Sequence, residues 1–183
     1  MLVLIIGGAF FTIGWGLVLA RRDALSRVFD RVSGMMDDAG IAFTAFYNVL
    51  RMCRDNRGKL PADEEAFEDA VVKIHDELYA KGGATYNAMT RVGPLTDTIL
   101  IFDRPEISAI ATLYIGRLRT AQGQLLEIEP LNAEDDSRFD VVSDTLKDAF
   151  DTGEVLRRQI LAELGFWRVI GYVFLRHSGG KRG

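Results

Sequence analysis

The chain has 183 residues, 48% of them hydrophobic and 26% charged, with four prolines and a single cysteine. This length fits one domain, or one domain plus a membrane segment, and the apolar fraction excludes a disordered, collagen-like or low-complexity chain. One cysteine rules out an intrachain disulfide framework, and a net charge of −4 with a pI near 5.3 argues against a general nucleic-acid binder.

Charge is segregated along the chain. Residues 1–20 carry no charged side chain, and residues 21–59 carry eight Lys/Arg against five Asp/Glu. Residues 60–164 hold ten basic and 21 acidic residues, and residues 165–183 hold four basic residues and no acid. Two basic regions therefore flank an acidic middle.

Met1 to Ala20 reads MLVLIIGGAFFTIGWGLVLA. As a helix, twenty uncharged and mostly apolar residues span about 30 Å, the thickness of the hydrocarbon core. Residues 1–21 are therefore expected to form a single transmembrane anchor, ended by Arg21 and Arg22. A cleavable signal peptide fits less well, because no basic residue precedes the apolar run and the run is long. The basic flank lies on the C-terminal side, at Arg21, Arg22, Arg27 and Arg31. The positive-inside rule then places residues 21–183 in the cytoplasm and the N-terminus outside, at an inner (cytoplasmic) membrane. Gly8, Thr12, Gly16 and Ala20 recur every four residues, a small-residue stripe on which a partner helix or a second copy could pack.

Beyond the anchor the periodicity is helical. Leu25, Val28, Phe29, Val32, Met35 and Met36 extend the first helix, with a stop or kink expected near Gly34 or Gly40. Ala42, Phe46, Val49, Leu50 and Cys53 mark a second helix, ending at Asn56-Arg57-Gly58. Leu60-Pro61-Ala62 opens a third, whose stripe is Phe67, Ala70, Val71, Ile74 and Leu78; acids crowd its first turns, where the helix dipole favours them. Gly82-Gly83 is expected to close it. Tyr86, Met89 and Val92 suggest a short helix broken by Gly93-Pro94, and residues 95–102 fit a helix or an extended run equally well. Asp103-Arg104-Pro105-Glu106 reads as a helix start with Asp103 as the cap. Ile107, Ile110, Ala111, Tyr114, Leu118, Ala121 and Leu125 continue that helix. After an acidic loop, Ser137 and Asp140 resemble a capping pair. Phe139, Val142, Leu146, Ala149, Phe150, Leu156, Ile160 and Leu164 form the last long stripe, with a possible bend at Gly153.

The fold class expected is all-α: a membrane anchor over 1–21, an acidic helical bundle over 22–164 and an aromatic-basic segment over 165–183. That last segment, with Trp167, Arg168, Tyr172 and Arg176, is too short and too charged to span a bilayer. It suits an amphipathic helix lying in the membrane interface, the alternative being a terminal helix packed into the core.

No pattern advertises chemistry. His75 and His177 are the only histidines, and neither stands in a ligand motif. Cys53 lacks a CxxC partner and reads as an inert packed thiol. The carboxylates at Asp37-Asp38, Asp63-Glu64-Glu65, Glu68-Asp69 and Glu134-Asp135-Asp136 match no calcium loop. They read as solvated faces or helix starts, with an acidic docking surface for a basic partner as the alternative. No catalytic, metal or cofactor residue is assigned, and Walker A, G-x-G-x-x-G and G-x-S-x-G patterns are absent. The layout resembles that of small single-pass bacterial membrane proteins. The function expected is a non-enzymatic accessory subunit or scaffold whose partners are the lipid bilayer and other membrane helices or a second copy. The alternative is a tethered enzyme or ligand sensor with a pocket in the bundle.

Overall fold

The computed structural model describes the backbone of residues 2–165 and the side chains of residues 14–165. Among these residues there are four long helices, one single-turn helix, three short 3-10 turns and no strand. The helices are α1 (Leu2–Asp55), α2 (Glu64–Val92), α3 (Leu95–Thr98), α4 (Pro105–Leu126) and α5 (Asp136–Glu163). They pair as two antiparallel hairpins, α1 with α2 and α4 with α5, and α1 and α2 also touch the second hairpin.

The first and second helices expected from sequence are one. α1 runs unbroken through Gly34 and Gly40 for 54 residues, about 80 Å at 1.5 Å per residue. Its buried positions explain why. Val18, Leu25, Val32, Ala39 and Phe46 recur every seven residues, and Met36, Phe43 and Leu50 form a second series of the same spacing. Together they make one narrow seam, alternating by four and three from Val32 to Leu50, that faces the other helices. An interior glycine costs a helix about 1 kcal/mol, which such a seam readily offsets.

α2 likewise absorbs the expected stop at Gly82-Gly83 and continues to Val92. A Cβ at position 82 would meet Phe46 and Leu126 at 3.7 Å, an ordinary contact distance, so the glycine lies where α1, α2 and α4 converge. Asp63 caps α2, its carboxylate accepting from the Ala66 amide at 3.1 Å. Residues 95–102 are helical after all: one α turn followed by the 3-10 turn Ile99–Phe102. Asp103 is not the cap of α4. It takes the left-handed conformation, φ 54°, that ends the 3-10 turn, and Arg104 holds the N-cap position without a side-chain bond. Asp is among the residues that tolerate this region. Pro105 occupies the first turn of α4, as expected. Ser137 caps nothing: α5 starts one residue earlier, after a 3-10 turn capped by Asn132.

Gly153 does not interrupt α5, which is continuous from Asp136 to Glu163. It is a packing residue. A Cβ there would lie 2.8 Å from the Met36 methyl and 3.1 Å from the ring of Tyr114. Glycine therefore lets α5 close on α1 and α4 together. The core of the bundle as a whole contains Phe43, Tyr114, Leu118, Phe139, Leu156 and Ile160.

Among the described residues no helix is long and apolar enough to cross a membrane. The expected anchor falls largely on residues 1–13, whose side chains lie outside the described set. The expected interfacial segment, 165–183, lies outside it apart from Gly165.

Two substitutions separate the glycine roles. Gly34→Ala, with open space at its Cβ, is expected to raise stability by about 0.5–1 kcal/mol. Gly153→Leu is expected to lower it by about 1–3 kcal/mol through overpacking. Urea unfolding followed by helical circular dichroism measures both; an equal response at the two sites would contradict this packing.

Candidate functional site

The bundle has two distinct ends. At one end, Arg21 of α1 donates to the carbonyl of Ile101 in the 3-10 turn before α4. Arg104, three residues on, pairs with Glu163 at the end of α5 at 3.4 Å. The chain therefore leaves α5 at the same end of the bundle at which α1 carries Arg21. Val18, one turn before Arg21, is already buried, whereas Trp15, Leu17 and Leu19 are exposed.

At the opposite end, the loop between α4 and α5 is held tightly. Arg57 donates to the Pro130 carbonyl at 3.1 Å and to Asp136 at 2.8 Å. Buried Asp135 accepts from the Glu129 amide at 2.8 Å and pairs with Arg138 at 3.4 Å. Arg54 stacks over Phe139, 4.7 Å from the ring centre, and closes the core there.

The sequence-predicted site residues divide along the same axis. Arg21 is partly buried and engaged with Ile101, while Arg22 is exposed. Gly16 and Ala20 are exposed, and a Cβ at Gly16 would meet nothing within 4 Å. The side chains of Gly8 and Thr12, and the residues Trp167, Arg168, Tyr172 and Arg176, lie outside the described residues.

Three surface grooves bear on function. The first lies between α1 and α5, has a volume of about 410 Å3, and includes Asp37, Tyr114, Glu154 and Arg157 in its lining. Arg157 ties the two helices together there: it bonds Asp37, reaches the Ser33 carbonyl at 3.4 Å and pairs with Glu154 at 3.4 Å. Its cation is thus already matched by two carboxylates. Burial pushes the Tyr114 phenol up to about 12, with nearby Arg157 opposing and Asp37 reinforcing. A phenol held neutral in this way serves packing rather than proton transfer at neutral pH.

The second groove, about 540 Å3, lies between the first half of α2 and the α4–α5 loop and is mostly apolar. The third, about 420 Å3, runs along α1 and α5 near Tyr47, Asn48 and Lys147.

His75 is exposed on α2, at the edge of the second groove. Cys53 is half-buried, and burial first and the Glu77 carboxylate second push its thiol up, which disfavours the nucleophilic thiolate. No group of three His, Cys, Asp or Glu residues could hold a metal among the described residues. The grooves are the features that sequence reasoning missed. No pattern in the sequence announced them, since helical periodicity does not say which part of a stripe finds a neighbour. Comparison with family models, with curated proteins and with solved structures finds no match to this chain.

Tyr114 makes a pH test of this geometry. The unfolded phenol loses its proton near pH 10, whereas the folded one keeps it to about 12. The unfolded state then binds fewer protons, so stability falls as pH rises from 10 towards 12, by about 2–3 kcal/mol in all. Tyr114→Phe is expected to remove that slope, as read by urea unfolding across this range. A wild-type slope that survives in Tyr114→Phe would refute the assignment.

Proposed function

We propose that the protein is a membrane-anchored, non-enzymatic accessory subunit or scaffold, held by its N-terminal apolar segment with the helical bundle on the cytoplasmic side. The observation that carries this reading is the common end of the fold. Arg21, which ends twenty uncharged residues, meets the turn at Ile101, and α5 finishes beside that turn at the Arg104–Glu163 pair. Arg21 and the last described residue, Gly165, thus lie at the same end of the bundle, so a single bilayer surface could receive the segments that adjoin them. The acidic α4–α5 loop stands at the far end, where repulsion from an anionic leaflet is weakest.

The small-residue stripe extends the reading. Gly16 and Ala20 are exposed, so a helix within the membrane could pack against them. A ligand-sensing alternative would use the groove between α1 and α5, whose lining includes Tyr114 and Asp37. Arg157 being already paired there makes it the weaker reading.

Alkaline carbonate extraction of native membranes tests the anchor. The full chain is expected in the pellet, and a chain lacking residues 1–20 in the supernatant; full-length protein in the supernatant would refute the anchor. Gly8→Ile combined with Gly16→Ile is expected to leave extraction unchanged while removing stoichiometric companions from a mild-detergent pulldown. Companions retained at wild-type levels would exclude the stripe as an assembly surface.

A further inference from the structure

The first half of α2 is under-covered. Val71, Ile74 and Leu78 are only partly buried, and Phe67, one turn earlier, remains 40% exposed. These residues do not meet solvent on a convex face. Val71, Ile74 and Leu78 form one wall of the groove of about 540 Å3, and Ile128, Pro130 and Leu131 of the α4–α5 loop form the other. The loop wall is held by the Arg57–Pro130 and Asp135–Glu129 bonds.

Its loop wall is acidic. Glu127, Glu129, Glu134, Asp135 and Asp136 fall within ten residues of the α4–α5 segment, and Glu129 itself lines the groove. Arg57 and Arg138 pair with Asp136 and Asp135 there. Glu127, Glu129 and Glu134 are exposed, so this wall keeps a net negative charge beside an apolar floor.

We infer that this groove is the docking site for a basic amphipathic helix of a partner protein, its apolar residues seated between α2 and the α4–α5 loop and its Lys/Arg residues facing the acidic loop wall. Charge selects this occupant over the others. Two copies meeting groove to groove would bring like charges together, which costs affinity. An anionic membrane surface would be repelled for the same reason. The inference rests on the accessory-subunit reading and gives that role a surface and a class of partner.

The test uses the full-length protein in mild detergent and a fluorescent peptide with leucines at i, i+3, i+4 and i+7 and lysines elsewhere. Anisotropy is expected to show micromolar binding that weakens severalfold as salt is raised. Ile74→Ser combined with Leu131→Ser, both at partly buried sites, is expected to weaken binding about tenfold or more. Glu129→Gln with Glu134→Gln is expected to weaken it severalfold and to flatten the salt dependence. A same-charge peptide with serine for leucine is expected to bind at least about tenfold more weakly. Equal binding of the two peptides, or binding unchanged in the Ile74/Leu131 variant, would mean simple polyelectrolyte attraction and would overturn the inference. So would a concentration-dependent dimer that the same variant abolishes, since the occupant would then be a second copy. Carbonate extraction separates the two levels: a protein that stays in the membrane but fails these binding tests loses the groove alone, and one that is extracted loses the anchor.

Discussion

A seven-residue apolar repeat along α1, doubled from Val32 to Leu50, is the constraint on which the bundle rests. Val18, Leu25, Val32, Ala39 and Phe46 on one register, with Met36, Phe43 and Leu50 on the other, keep a single seam turned inward over more than thirty residues. α2 folds back along this seam, and the α4–α5 hairpin closes over it. The closure is tightest at Gly153, where α5 comes within contact distance of Met36 on α1 and Tyr114 on α4. A side chain at that point would push the two hairpins apart. Arg157, one turn further along α5, then locks the arrangement through Asp37 and the Ser33 carbonyl.

The hairpins also arrange the charge. The acidic residues of the α2 start and of the α4–α5 loop are far apart in sequence, yet the fold brings both to one end of the bundle, around one apolar groove. That end also carries Arg54, Arg57 and Arg138, paired with Asp55, Asp136 and Asp135.

Much of this was legible in the sequence. Helical periodicity located every long helix, and the stripe of α4, from Ile107 to Leu125, is buried nearly as read. What failed was punctuation. Gly34, Gly40, Gly82 and Gly153 carry a local preference to interrupt a helix, but tertiary packing outweighs a cost of about 1 kcal/mol at each. At position 82 the glycine faces Phe46 and Leu126, and at 153 it faces Met36 and Tyr114. In both places the residue that looked like a stop lies at a helix crossing. Asp103 misled for a related reason: the same side chain that caps a helix also tolerates a left-handed turn, and the turn prevailed. The grooves were not legible, because they depend on which part of a stripe finds a neighbour. The Phe67–Leu78 stripe gave no sign that the α4–α5 loop would cover only one side of it.

The continuity of α1 has a mechanical consequence. A helix without a hinge transmits rotation along its whole length, and α1 is also the element on which both hairpins are mounted. From Arg21 to Asp55 it runs for about 50 Å. A change of only ten degrees in the tilt of its first third would swing the far end, with the α4–α5 loop and its groove, by about 9 Å. A displacement at the start of α1 is therefore amplified at the opposite end of the bundle, as a hand at the short end of an oar moves the blade.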